Sequence, residues 1–179
     1  MPITITEALA EIKTIGKRIE AKRDHILSYL ARQEGVKDPL EKDGGSAEMI
    51  RRERQSISDL EDRIVYLRRG ILRANSTIEI TINGSTRSIA DWLTWRRDVQ
   101  PGQQVLLTRL RAGLAQVRDQ AKRQGVQTVA KDADAKVPQD LVVNIDEAEL
   151  ARQIETMEDT MGQLDGQLSL KNATVQIDG

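Results

Sequence analysis

Isoleucine recurs every seven residues in two separate stretches, at Ile5, Ile12, Ile19 and Ile26 and again at Ile50, Ile57, Ile64 and Ile71. Seven residues are close to two helical turns, so each set falls on one stripe of a helix. β-Branched residues at that step are what a coiled-coil seam packs. Leu9, Ile15, Tyr29 and Leu30 widen the first stripe, and Leu60, Leu67 and Ala74 fill the intervening positions of the second. Between them lies EGVKDPLEKDGGS, whose Gly35 suits a helix end and whose Pro39 lies beyond it. Thr6 is expected to cap the first helix, with Glu7 at the positive end of its dipole, and the second starts after Ser46. The prediction is an antiparallel helical hairpin over residues 5–34 and 46–75. Each arm would be roughly 40 Å long at 1.5 Å per residue.

The pattern then changes. Ile78, Ile80 and Ile82 alternate with Thr77, Glu79 and Thr81, which is strand periodicity, and Asn83-Gly84 is a strong two-residue turn signal because both residues tolerate positive φ. A β-hairpin is predicted over 77–89, with Ile82 opposite Ser85, Ile80 opposite Arg87 and Ile78 opposite Ile89. Ser88 caps a following helix, with Asp91 completing an approximate capping box. Trp92 and Trp95 share a face of that helix, either as an aromatic plug within the chain or as partner anchors. A third helical region is predicted over 89–124, interrupted at Pro101-Gly102 and striped by Leu107, Leu110, Leu114, Val117 and Ala121. Gly125 ends it, and a polar linker over 125–145 follows, with LVVNI as a short strand candidate. Asp146 and Glu149 cap a last helix over 147–170, striped by Leu150, Ile154, Met157, Met161, Leu164 and Leu168, and NATVQIDG could add an edge strand. The fold class is mainly α: an antiparallel coiled-coil hairpin or bundle with an inserted β-hairpin, in one elongated unit over 1–179.

Composition narrows the function. Lys and Arg number 27 against 28 Asp and Glu, so no surplus of cations exists to displace counterions from a nucleic acid. Cysteine is absent, which rules out disulfides and thiolate chemistry. No stretch is long and apolar enough for a signal peptide or a membrane span, so a soluble protein made in a cytoplasm is expected. The single histidine, His25, sits beside the Ile26 seam. Asp132, Asp134 and Asp140 superficially suggest calcium but lack the central glycine and closing glutamate of an EF-hand loop. No Walker loop, dinucleotide fingerprint or nucleophile elbow is present. The expectation is a non-enzymatic protein with no cofactor and no metal.

The order of elements resembles the septicolysin-like family of small helical proteins of bacteria and phages. Three stretches carry the likeness: ILRANST through Asn75 and Thr77, GSTRSIADWLTWRRD through Gly84, Ile89, Leu93, Arg97 and Asp98, and QLDGQLSLKNAT through Leu164, Asp165, Leu168, Asn172 and Thr174. Phage relatives resemble virion structural proteins. The resemblance therefore implies a structural protein of a phage particle, a capsid-decorating or tail component, made in the host cytoplasm and resident in the virion. Its partners would be itself, as a homo-oligomer, and other virion proteins such as the major capsid protein. The alternative is a soluble cytoplasmic bacterial coiled-coil adaptor or septicolysin-like toxin. Self-association is expected through Ile12, Ile19, Ile26, Ile50, Ile57, Ile64 and Ile71. Docking is expected through Ile78, Ile80, Ile82, Asn83, Gly84, Trp92 and Trp95, with the hairpin's free edge available for strand addition.

Overall fold

The computed structural model describes residues 1–130 and 140–179. The chain is mainly α-helical with short β-pairs: β1 (Pro2–Thr4), α1 (Ile5–Ser28), α2 (Ser46–Thr77), β2 (Glu79–Ile82), β3 (Ser85–Ser88), α3 (Ile89–Thr94), α4 (Gln100–Gln124), β4 (Thr128–Ala130), β5 (Leu141–Val143), α5 (Glu147–Thr174) and β6 (Gln176–Asp178). The chain divides into two compact units. The first is Met1–Ile78 with Ser169–Gly179, and the second is Glu79–Leu168.

In the first unit α1 and α2 form the predicted antiparallel hairpin. Ile5, Ala8, Ile15 and Ile19 of α1 meet Leu67 and Ile71 of α2 in one buried cluster, with Ile12, Ile57, Leu60, Ile64 and Ala74 packed around it. Leu67 and Ile5 lose almost all contact with solvent, a burial that stabilises the fold by about 1.5–3 kcal/mol per side chain. Ile26 and Ile50, nearer the loop, are half-buried. The flanks carry ion pairs across the hairpin: Arg63 with Glu11 at 2.7 Å and Lys22 with Glu53 at 2.6 Å.

The helix ends differ from expectation for identifiable reasons. Thr4, not Thr6, caps α1: its hydroxyl accepts from the Glu7 amide at 3.2 Å while the Glu7 carboxylate accepts from the Thr4 amide at 2.7 Å, a complete capping box. α1 stops at Ser28, well before Gly35. The loop that follows is organised by Asp38, whose carboxylate accepts from the backbone of Leu40 and Ser46 and from the Ser46 hydroxyl. That bond fixes the start of α2, where Gly44 and Gly45 both have positive φ.

The tail does form an edge strand, and its partner is the N-terminus. β6 pairs antiparallel with β1, with Ile3 opposite Ile177. Ile177 packs into the helical cluster. Gly70 permits this, since a Cβ there would lie 3.2 Å from the Ile177 Cδ1.

In the second unit β2 and β3 pair in the predicted register from Glu79–Ser88 to Ile82–Ser85, and the ladder ends there, short of the Ile78–Ile89 pair. Ser88 caps α3 by accepting from the Asp91 amide. Pro101 does not break the helix. A π-helical turn, Trp95–Val99, lies between α3 and α4, with the Gln100 amide bonded to the Trp95 carbonyl. A proline inside a regular helix lacks an N–H and clashes with the carbonyl four residues back, and the wider turn accommodates both. Gly125 caps α4 at φ 70°, and Asp146 accepts from the amides of Ala148 and Glu149 at the start of α5. The predicted linker over 125–145 is not featureless: its described flanks form a parallel pair, Val129 opposite Val142.

The cross-hairpin carboxylates generate a pH dependence. The Arg63 guanidinium holds Glu11 below the usual carboxylate range, and the Lys22 ammonium does the same for Glu53. A carboxyl lowered by folding contributes stability above its unfolded value and loses it as pH falls through the folded one. The urea midpoint should hold from pH 7 to about pH 5 and fall below that. The double variant Glu11→Gln, Glu53→Gln should start lower at pH 7 and show a flatter decline in the same titration.

Candidate interaction surface

The isoleucine seam and the β-hairpin were the two expected contact surfaces. The seven seam residues, Ile12, Ile19, Ile26, Ile50, Ile57, Ile64 and Ile71, face each other across α1 and α2 of one chain. Ile19 and Ile71 are buried there and the rest are half-buried. Ile12, Ile19, Ile57, Ile64 and Ile71 belong to the packed cluster of the predicted antiparallel hairpin.

The hairpin is likewise occupied within its own unit. Asn83 and Gly84 have φ of 49° and 76°, the two left-handed residues of a type I′ turn. That turn aims Ile80 and Ile82 inward, at 4% and 1% exposure. Trp92 is buried, and its indole N–H donates to the Ile80 carbonyl at 3.2 Å. Trp95 stacks edge-on to it at 5.6 Å, and the Arg87 guanidinium lies 5.0 Å over the Trp92 ring. At the tip, the Asn83 side chain donates to the Thr160 hydroxyl at 2.9 Å and accepts from Gln163 at 2.9 Å. Ile80, Ile82 and Trp92 are therefore core, as the aromatic-plug reading of Trp92 expects, and Asn83 tethers the hairpin to α5. Ile78 and Trp95 are half-buried and Gly84 is exposed.

Exposed apolar side chains occur on several elements, Leu27, Leu72 and Leu170 among them, and one such surface on α4 is continuous along the helix. Leu106 is 58% exposed and Val117 38%, and with the half-buried Leu110 and Gly113 they form a stripe at i, i+4, i+7 and i+11. This stripe sits beside the α4–α5 seam, where Leu107, Leu150 and Leu164 are buried but Leu114, Ile154, Met157 and Met161 are only half-buried. A groove of about 760 Å³ runs along one side of that seam, with Trp95, Leu106, Leu107 and Met157 in its walls. A second of about 430 Å³ shares Leu107 and Met157 and is also walled by Met161. The α4–α5 pair thus carries a wider apolar face than two helices cover. The larger groove also has polar walls, with Arg152 paired to Glu149. Val117 belongs to the heptad stripe expected to be buried, and Leu106 lies off that stripe, one residue out of step with Leu107.

His25 is half-exposed, 3.5 Å from the Glu53 carboxylate and edge-on to Tyr29. Among the described residues no three His, Cys, Asp or Glu side chains gather as a metal site, and no helix is long and apolar enough to cross a membrane. Asp132 and Asp134 lie outside the described residues.

No protein-family profile matches the chain, and no curated protein does. A solved structure of a functionally unknown conserved protein from Corynebacterium diphtheriae is similar in fold. It has a TM-score of 0.54 and 20% sequence identity over 99% of this chain and 100% of that one.

Two substitutions separate core from surface. Ile82→Lys should cost more than about 3 kcal/mol, because it places a charge in a site with 1% exposure. Leu106→Gln should change stability by less than about 0.5 kcal/mol. Urea unfolding of both variants measures the contrast.

Proposed function

We propose that this chain is a non-enzymatic structural protein of a phage particle, a capsid-decorating or tail component that works by adhesion. The observation that carries the reading is the open stripe of Leu106, Leu110, Gly113 and Val117 beside an underfilled α4–α5 seam. Exposed apolar faces of this kind mark protein contact surfaces, and a further helix laid along the grooves would complete the packing of the pair. The likeness of the Asn75–Thr77, Gly84–Asp98 and Leu164–Thr174 stretches to the septicolysin-like family points the same way, through its phage relatives. Self-association moves, in this reading, from the α1–α2 isoleucines to the α4 face, and the virion partner, such as a major capsid protein, remains the second contact.

Mass spectrometry of purified particles tests the assignment, with the chain expected at a stoichiometry fixed relative to the capsid or tail proteins. Recovery only as a free protein in host lysate would overturn it in favour of a cytoplasmic coiled-coil adaptor. The self-association part has its own measurement: sedimentation equilibrium should show oligomers for the parent protein and a shift toward monomer for Leu106→Gln with Val117→Gln.

A further inference from the structure

In the first unit, a groove of about 380 Å³ runs between the C-terminal part of α2 and the residues of β6. Tyr66, Arg69, Arg73 and Thr77 form one wall, and Val175 to Asp178 the other. No residue of β1 lines it, so it lies on the side of β6 away from its paired strand.

The ladder identifies which main-chain groups face that side. The Ile5 amide donates to the Val175 carbonyl and the Gly179 amide to the Met1 carbonyl. In an antiparallel pair, directly opposed residues alternate between exchanging hydrogen bonds and pointing them outward. Residues 175, 177 and 179 therefore bond β1, and the N–H and C=O of Gln176 and Asp178 point away from it. An open strand edge is a template for another strand.

The wall opposite that edge is basic. Arg69 and Arg73 are exposed and make no ion pair among the described residues, while Asp178 is the one acidic side chain among the lining residues. The two arginines are one helical turn apart, about 6 Å along α2 at 1.5 Å per residue. Side chains at alternate positions of a strand are spaced by roughly 6.8 Å and share a face. Two carboxylates at i and i+2 of an extended segment thus match the arginine spacing, and arginine pairs with carboxylates through two parallel hydrogen bonds.

We infer that the free edge of β6 is a strand-addition site for an extended peptide carrying acidic residues at alternate positions. Main-chain bonds to Gln176 and Asp178 supply affinity, and Arg69 and Arg73 supply selectivity. The inference does not depend on the virion assignment.

Fluorescence anisotropy tests it, with a labelled seven-residue peptide alternating valine and aspartate as probe and its valine–lysine counterpart as control. Saturable binding of the aspartate peptide, weakened by salt and at least tenfold weaker in Arg69→Glu with Arg73→Glu, is the expected result. Gln176→Pro, which removes one outward N–H, should abolish binding. Both substituted arginines are exposed, so circular dichroism of that variant should match the parent, and it decides the matter alone if Gln176→Pro unfolds the tail. No binding of the aspartate peptide, equal binding of the lysine peptide, or undiminished binding by the arginine variant would overturn the proposal. Conversion of a dimer to a monomer by Gln176→Pro would also overturn it, since the occupant would then be a second copy.

Discussion

Burial of Ile5, Ala8, Ile15 and Ile19 against Leu67 and Ile71 is the contact on which the first unit depends. A chain with four aromatic residues, two Trp and two Tyr, has few large side chains from which to build a core. Narrow helices seamed by isoleucine need none, because β-branched side chains with few rotamers fill the space between two close axes. Once the seam is formed, the remaining elements follow. Thr4 and Glu7 fix where α1 begins, Asp38 fixes where α2 begins, and Gly70 leaves room for Ile177 to close the end of the hairpin.

The second unit solves a different problem with the same economy of aromatic residues. The Trp92 indole N–H bonds β2, and Trp95 packs edge-on against Trp92. A two-stranded hairpin is marginal by itself, and here it is held by Trp92 on its face and by Thr160 and Gln163 at its tip. The long helices of this unit are less completely packed than those of the first. Leu107, Leu150 and Leu164 are buried, yet Met157 and Met161 line open grooves and Leu106 faces solvent. In this unit open apolar surface therefore lies where the heptad is weakest, whereas the isoleucine seams of the first unit pack α1 against α2.

Much of this was legible in the sequence, because it rests on local rules. The isoleucine repeat fixes the α1–α2 hairpin, Asn83-Gly84 fixes the turn and its register, and Ser88, Gly125 and Asp146 mark helix ends through short-range hydrogen bonds. What the sequence left open depends on distant residues. The same Ile80 and Ile82 pattern serves a core or an interface, and only the approach of Trp92 decides between them. The pairing of β1 with β6 joins the two ends of the chain, and no local signal announces it. Pro101 shows a third case: a residue that forbids a regular helix was accommodated by a π-turn, so the expected break became a continuous helical path.

The most direct test concerns the α1–α2 seam, because an isoleucine heptad could equally join two chains. The absence of cysteine allows a single pair of labels to be introduced at Lys17 and Ser58, both exposed and on facing helices. Electron spin resonance should give one short distance, on the order of 20 Å for labels on helices packed about 8–10 Å apart. That distance should persist undiminished when labelled protein is refolded with a large excess of unlabelled protein. Loss of the short distance on dilution would place the seam between chains and contradict the account.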